Sequence, residues 1–517
     1  MLPDLSADGF AARIAFIKRT LAELRAIDAT TYGADASYDA RILEGVLERD
    51  LLGLQERQTW RHDPAYYTSQ ASAAVYSLLT REFAPLRDRM RLAIARERLI
   101  PAMLEKTKPN ITTVDPTTAK LADLNIRGTI SFFETTVPLA LAGVRDAGLQ
   151  GQFKSANDAA IAAIRAYLTE MEAGPLAHPS GTYAIGAKLF ERLLDLQELA
   201  PITLGQYEQV GSSALAQTRI AFVDAAKAID PTKSPADVAA SLGAKHPTAE
   251  TLMKTASDGL VALRRFVIAH NIITLPPDYD IEVVATPEFE RQTSFASMDA
   301  PGPLEKVATK AYYNVTPVDS SWTAKQKEDH LAFFNDYAFP IVSLHEVMPG
   351  HYVNFALEKH EKLSLIRRIE GSVSFEEGWA HYDEQMMVDQ GLGGGDPHVR
   401  LAQLQLALQR ECRFLVGLRE HTQNLSIEDA TKFFEDNAFM AEGPARREAL
   451  RGTQDPLYGY YTLGKLEILK LRDDYKAKLG SKYTLQGFHD ALLAHGDPPI
   501  AIVRRIMLGV DDDGKLL

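Results

Sequence analysis

From Phe10 to about Asn271, apolar residues recur at helical spacing, as in Phe16, Leu21 and Leu24 and again in Leu43, Leu47, Leu51 and Leu52. Strand-like alternation is scarce, so the pattern predicts a helical scaffold over residues 1–275. Proline or glycine interrupts it at Lys108-Pro109-Asn110, Asp115-Pro116, Gly174-Pro175, His178-Pro179-Ser180-Gly181, Asp230-Pro231 and Leu275-Pro276-Pro277. A proline removes a ladder donor and clashes with the preceding turn, so each of these sites reads as a helix boundary. No repeat of fixed period is evident.

The texture changes over residues 276–320. Ile281-Glu282-Val283-Val284, then Thr293 to Met298, then Ala311-Tyr312-Tyr313-Asn314-Val315 are short β-branched or aromatic runs cut by prolines, which predicts two or three short strands. Helical periodicity resumes near Thr323, where Thr323-Ala324-Lys325-Gln326 fits a capping box, and runs over residues 321–517 almost to Met507. The expected fold is mainly α with a small β-sheet. Its 517 residues suit a single two-lobed unit around a cleft, the second helical region carrying the chemistry.

Composition removes several classes of function. Hydrophobic residues at 46% and charged residues at 24% permit a large buried core and argue against disorder. A net charge of -13 without a basic cluster would repel a phosphate backbone, so nucleic acid is excluded as a partner. Apolar stretches such as Val137 to Val144 fall well short of the roughly 20 residues a membrane span needs. Met1 to Ala7 shows no basic start followed by an apolar run. The chain as it stands therefore reads as cytoplasmic, or as periplasmic or secreted if a signal has been removed. Cys412 is the only cysteine, so no intrachain disulfide forms, and it reads as a buried helix residue.

The chemistry concentrates in Phe339-Pro340-Ile341-Val342-Ser343-Leu344-His345-Glu346-Val347-Met348-Pro349-Gly350-His351. Zinc helices usually carry two histidines four residues apart, with a glutamate after the first that activates water. Here the histidines are six apart, and on an undistorted helix six residues turn about 600°, leaving them roughly 120° out of line. Two residues bulged out at Pro349-Gly350 would restore the equivalence. A third ligand is expected on a later helix, and Glu377 of Ser374-Phe375-Glu376-Glu377-Gly378-Trp379-Ala380-His381-Tyr382-Asp383-Glu384 fits. Glu377, His381 and Glu384 share one helical face, so His381 and Glu384 are expected to orient the ligands, while Glu376 points elsewhere. The expected centre is one Zn2+ per chain on His345, His351 and Glu377, with Glu346 as general base. His330, His360, His421 and His489 read as solvated or core-satisfied.

At these residues the chain resembles a bacterial family known as a domain of unknown function, numbered 885. His345 to His351 and Glu377 to Ala380 match its His-Glu-x-x-Pro-Gly-His and Glu-Gly-Trp-Ala segments, and Trp60 to Pro64 and Gly487 to Ala491 extend the likeness along the chain. The resemblance implies a helical, two-lobed metallopeptidase-like fold, with the sheet beside an active-site cleft. It also implies that Tyr461 lies near the metal, where a phenol can donate to an oxyanion, and that Arg451 holds a substrate carboxylate. Tyr352 and Arg419 stand where the family often has histidine. The expected function is a zinc metallopeptidase acting on short, unstructured peptides, the negative net charge favouring basic ones. The alternatives are a zinc amidohydrolase acting on a small amide or ester, and a silent binding protein of the same fold.

Overall fold

The computed structural model describes residues 2–277, 279–287, 291, 294–510 and 517. Among these residues it is mainly helical with one three-stranded sheet. The chain packs as two compact units, each with its own apolar core.

The first unit comprises Met1–Asp28, Leu47–Ile185 and Glu305–Ala308. Helices Ala65–Thr80, Leu86–Glu97, Pro116–Ser131 and Ala147–Ala173 bury Tyr67, Met90, Ile126, Phe133 and Ile164 between them, and Phe10 stacks on Trp60 at 4.3 Å. The expected boundaries hold for local reasons. Asp115 caps the helix that begins at Pro116 by accepting from the Thr117 and Thr118 amides, and the helix from Ala147 stops at Gly174.

The second unit comprises Ala29–Val46, Gly186–Leu304 and Thr309–Leu517. The helices between Ala187 and Ala269 belong to it, so the helical region that runs to residue 275 in the sequence is shared between the two units. Strands β1 (Ile281–Ala285), β2 (Ala296–Asp299) and β3 (Ala311–Val315) form the sheet in the order β1-β3-β2. Strand β3 is parallel to β1 and antiparallel to β2, with Tyr313 opposite Val283 and Met298. Its Ala311, Tyr313 and Val315 are buried, and the Tyr313 hydroxyl meets Ser343 Oγ at 3.0 Å, which ties the sheet to the helix Phe339–Glu346. The expected strand start at Thr293 lies outside the described residues. The capping box at Thr323 is present, its hydroxyl accepting from Gln326 N–H and Gln326 Oε1 from Thr323 N–H.

Two glycines set the packing at the heart of this unit. The helix Val373–Asp389 lies against the helix Tyr460–Leu479, and a Cβ on Gly464 would stand 1.7 Å from the Ser374 carbonyl oxygen. A Cβ on Gly378 would stand 2.6 Å from the Gly464 backbone. The helices therefore touch backbone to backbone, a separation only glycine permits. That approach explains the glycine of Glu-Gly-Trp-Ala by packing.

Candidate metal centre

The expectation of one bulged helix requires correction. The helix Phe339–Glu346 ends at the glutamate and a second, His351–Glu358, begins at the histidine, with a cis Met348–Pro349 peptide between them. Gly350 N–H donates to the Leu344 carbonyl at 3.0 Å and Val353 N–H to that of Val347 at 3.3 Å, so hydrogen bonds span six residues where a helix spans four. These bonds close the chain around the two extra residues and bring the histidine rings to 4.9 Å, perpendicular to one another. A Cβ on Gly350 would stand 1.9 Å from the His345 carbonyl oxygen, so the link requires glycine for space. Trp379, fully buried, fastens it by donating its indole N–H to the Pro349 carbonyl at 3.1 Å.

Within this frame His345 Nε2 and His351 Nε2 each stand 3.5 Å from Glu377 Oε2, and ligand atoms of the three residues lie within 4.8 Å of one another. Two atoms bound to one tetrahedral zinc at about 2.0–2.2 Å are separated by about 3.3–3.6 Å. Glu377 Oε2 is buried with no donor closer than these 3.5 Å contacts, and the buried His351 Nδ1 has no hydrogen-bond partner. Buried polar atoms are seldom left in this way without a ligand or water to satisfy them. The donor set of two imidazoles and a carboxylate therefore fits a zinc ion. Burial would raise the Glu377 carboxyl, but His345 and His351 outweigh it and hold it well below the ordinary carboxylate range.

Behind His345 lies a buried polar layer. Glu384 accepts from His345 Nδ1 at 2.8 Å, meets Arg410 Nη2 at 2.8 Å and contacts His381 Nδ1 at 3.2 Å. This fixes His345 with Nδ1 protonated and Nε2 directed at the candidate metal position. Burial depresses His345, while the neighbouring Glu377 and Glu384 carboxylates outweigh that effect and bring it to about 9. His381 is fully buried and pushed down to about 3 by burial and Lys465, so it stands as a neutral partner of Glu384. Arg410 has no local signal in the sequence, because its partner sits on another helix.

Glu346 is half-buried beside the three groups. Its Oε2 accepts from the Met298 amide of β2 at 2.9 Å, and burial raises its carboxyl above the ordinary range despite the two histidines. Tyr461 and Arg451 are brought together, Arg451 Nη2 reaching the Tyr461 hydroxyl at 3.3 Å and the Tyr460 hydroxyl at 3.2 Å. The Tyr461 ring also faces Arg410 at 5.6 Å and Arg413 at 5.2 Å. Arg413 is paired with Glu448 at 2.6 Å, whereas Arg451 forms no ion pair among the described residues, although its charge also acts on Glu448.

The other histidines behave as the sequence suggests. His330, His421 and His489 are buried against the carbonyls of Thr316, Gly452 and Ile272, and His360 is exposed. Cys412 is buried, with its thiol pushed well up by burial, which suits packing and not nucleophilic chemistry. Tyr352 accepts the Asp280 amide at 2.7 Å, and Arg419 pairs with Glu208 at 3.0 Å. No described helix is long and apolar enough to cross a membrane.

Two solved structures share this fold. One, described as a candidate lipoprotein of unknown function from Shewanella oneidensis, is 25% identical with a TM-score of 0.82, covering 98% of this chain and 93% of that one. The other, described as a candidate lipoprotein from Colwellia psychrerythraea, is 17% identical with a TM-score of 0.75, covering 96% of this chain and 91% of that one. Comparison with curated proteins finds no match. The family described as bacterial protein of unknown function (DUF885) matches residues 1–507, and the chain belongs to it.

Proposed function

We propose that this chain is a zinc-dependent hydrolase that cleaves short, unstructured peptides, with a two-lobed metallopeptidase-like organisation. The observation that carries the reading is the convergence of His345, His351 and Glu377 on one point beside the Glu346 carboxylate. Bound there, a zinc ion supplies Lewis acidity to a carbonyl and to water. Glu346 accepts a proton from the attacking water and returns it to the leaving amine, and its raised basicity suits both transfers. The Met298 N–H orients one of its oxygens and leaves the other for the water. Tyr461, held by Arg451, donates to the developing oxyanion, and Arg451 has a guanidinium to offer a substrate carboxylate.

Strand β2 supports a peptide over a small amide. It pairs with β3 along one edge and has no strand on the other among the described residues, and the Met298 amide on that open edge is the one that reaches Glu346. An extended chain added to this edge would run past the general base. The description of the Shewanella protein as a candidate lipoprotein supports a periplasmic or secreted location.

The test is digestion of a mixed peptide library by zinc-loaded wild type and by Glu346→Gln. General-base contributions are about 100- to 10,000-fold, so Glu346→Gln is expected to lose at least that much turnover while keeping its metal. A wild type that holds zinc and cleaves no peptide refutes the reading.

A further inference from the structure

A second cavity of about 420 Å³ opens beside the candidate metal centre, bordered by Met298, Phe355, Glu358, Arg368, Glu376 and Asp497. It adjoins the site through three residues. Met298 holds Glu346, Phe355 lies parallel to the His351 ring with centroids 6.0 Å apart, and Glu376 precedes Glu377 in the chain. None of the roles given above uses Glu358, Glu376 or Asp497.

The chemistry of this cavity is unbalanced. Four acids line it, Asp299, Glu358, Glu376 and Asp497, against two bases, Lys359 and Arg368. Arg368 spends a donor on the Glu361 carbonyl at 3.0 Å. Asp497 is only 3% exposed; its Oδ2 accepts from Asn354 at 3.0 Å, and its buried Oδ1 has no donor. Asp497 lines the cavity, and a buried carboxylate oxygen without a donor is costly unless a ligand supplies one. Burial, and then neighbouring Glu358, pushes the Asp497 carboxyl up to about 8. These acids do not converge tightly enough for a metal ion, since only His345, His351 and Glu377 do so among the described residues. The space instead suits a cation that carries an organic body.

We infer that this cavity receives a positively charged group of the substrate, its amino terminus or a lysine or arginine side chain, an inference that rests on the peptidase reading above. A chain lying along β2 past Glu346 continues beyond Asp299 to Ala300 and Pro301, which also line the cavity, so one peptide can occupy both. The ammonium or guanidinium group then donates to Asp497 Oδ1 and is flanked by Glu358 and Glu376.

Binding to the full zinc-loaded Glu346→Gln chain tests this without requiring turnover. A short lysine-containing peptide is compared with its N-acetylated form, its Lys-to-norleucine form and the doubly neutral form. A buried charge-assisted hydrogen bond gives about tenfold or more in affinity, so one of the two neutralisations is expected to cost that much and to identify the group. Asp497→Asn is expected to shrink the same difference to about twofold, because a neutral amide keeps the shape without the charge. The peptide series stands on its own if that variant fails to fold. Equal affinity across the series, or no binding by any member, overturns the inference. Wild-type cleavage with no charge preference removes the subsite and leaves the hydrolase. Cation-dependent binding without cleavage removes the hydrolase and leaves the subsite.

Discussion

Replacing Glu384 by Gln keeps the length of the side chain and removes one negative charge from the polar layer behind His345. Glu384 is fully buried, Arg410 is 12% exposed, and their contact is 2.8 Å, so the substitution strips a nearly buried guanidinium of its counter-ion. Breaking one side of such a pair costs about 3–5 kcal/mol, and the melting temperature of the zinc-free protein is expected to fall accordingly. The amide can still accept from His345 Nδ1 or from Arg410, but it no longer raises the basicity of the imidazole that faces the candidate metal position. Partners of this kind change metal affinity about 10- to 100-fold when lost, equivalent to about 1.4–2.7 kcal/mol. The assay is competition for zinc against a chromophoric chelator, with thermal melting of the zinc-free and zinc-loaded forms alongside. Zinc-induced stabilisation is expected to shrink by the same 1.4–2.7 kcal/mol or so at a fixed zinc excess, since linkage depends on the logarithm of the dissociation constant. If the variant melts lower but binds zinc within about twofold of wild type, Glu384 serves Arg410 alone and its role in orienting His345 is refuted.

Wild type is expected to carry about one zinc per chain by elemental analysis, and Ala at His345, His351 or Glu377 to remove it, while Glu376→Ala retains it. Full retention of zinc in His351→Ala would contradict the site. Gly464→Ala is expected to cost about 3 kcal/mol or more in chemical denaturation, because the new methyl would enter the Ser374 carbonyl; unchanged stability would mean that the helices are not in backbone contact. Glu97 is fully buried with neither oxygen partnered, and burial lifts it from 4.5 to about 8. Because the folded state keeps a proton that the unfolded state releases, stability is expected to fall as pH rises from about 4.5 to about 8, with no further change from this group above that. Glu97→Gln should flatten that part of the denaturation profile, and an unaltered profile would remove Glu97 as its source.

Chain-local features of this fold were legible because their causes are local. The strands at Ile281 and Ala311, the capping box at Thr323, the helix start at Pro116 and the helix stop at Gly174 each follow from residues a few positions apart. The candidate ligand pair could be picked out for the same reason, since His345, Glu346 and His351 lie on one short segment. The means of joining them could not. A bulge and a break between two helices have the same length, and the choice depends on Gly350 and Val353 finding carbonyls six residues back while Trp379, from another helix, takes the Pro349 carbonyl.

Arg410, Asp497 and the role of Gly378 were hidden for a different reason. Each matters through a partner that tertiary packing supplies: Glu384 for Arg410, the cavity wall for Asp497 and Gly464 for Gly378. Sequence periodicity reports which face of a helix is buried, but not which helix covers it. Glu376 illustrates the consequence. Helical geometry alone turns it away from the ligand face of Glu377, and from sequence that leaves it without a role. The same rotation places it on the wall of the neighbouring cavity with Glu358 and Asp497, so adjacent glutamates on one helix face the cavity and the candidate ligands respectively. If the two pockets receive one substrate, their spacing fixes where along a peptide the charge must fall relative to the cleaved bond. Moving a lysine one residue at a time through an otherwise neutral peptide is therefore expected to give a single favoured position for kcat/KM. A flat response would mean that the acids of the cavity and Glu377 do not act on the same chain.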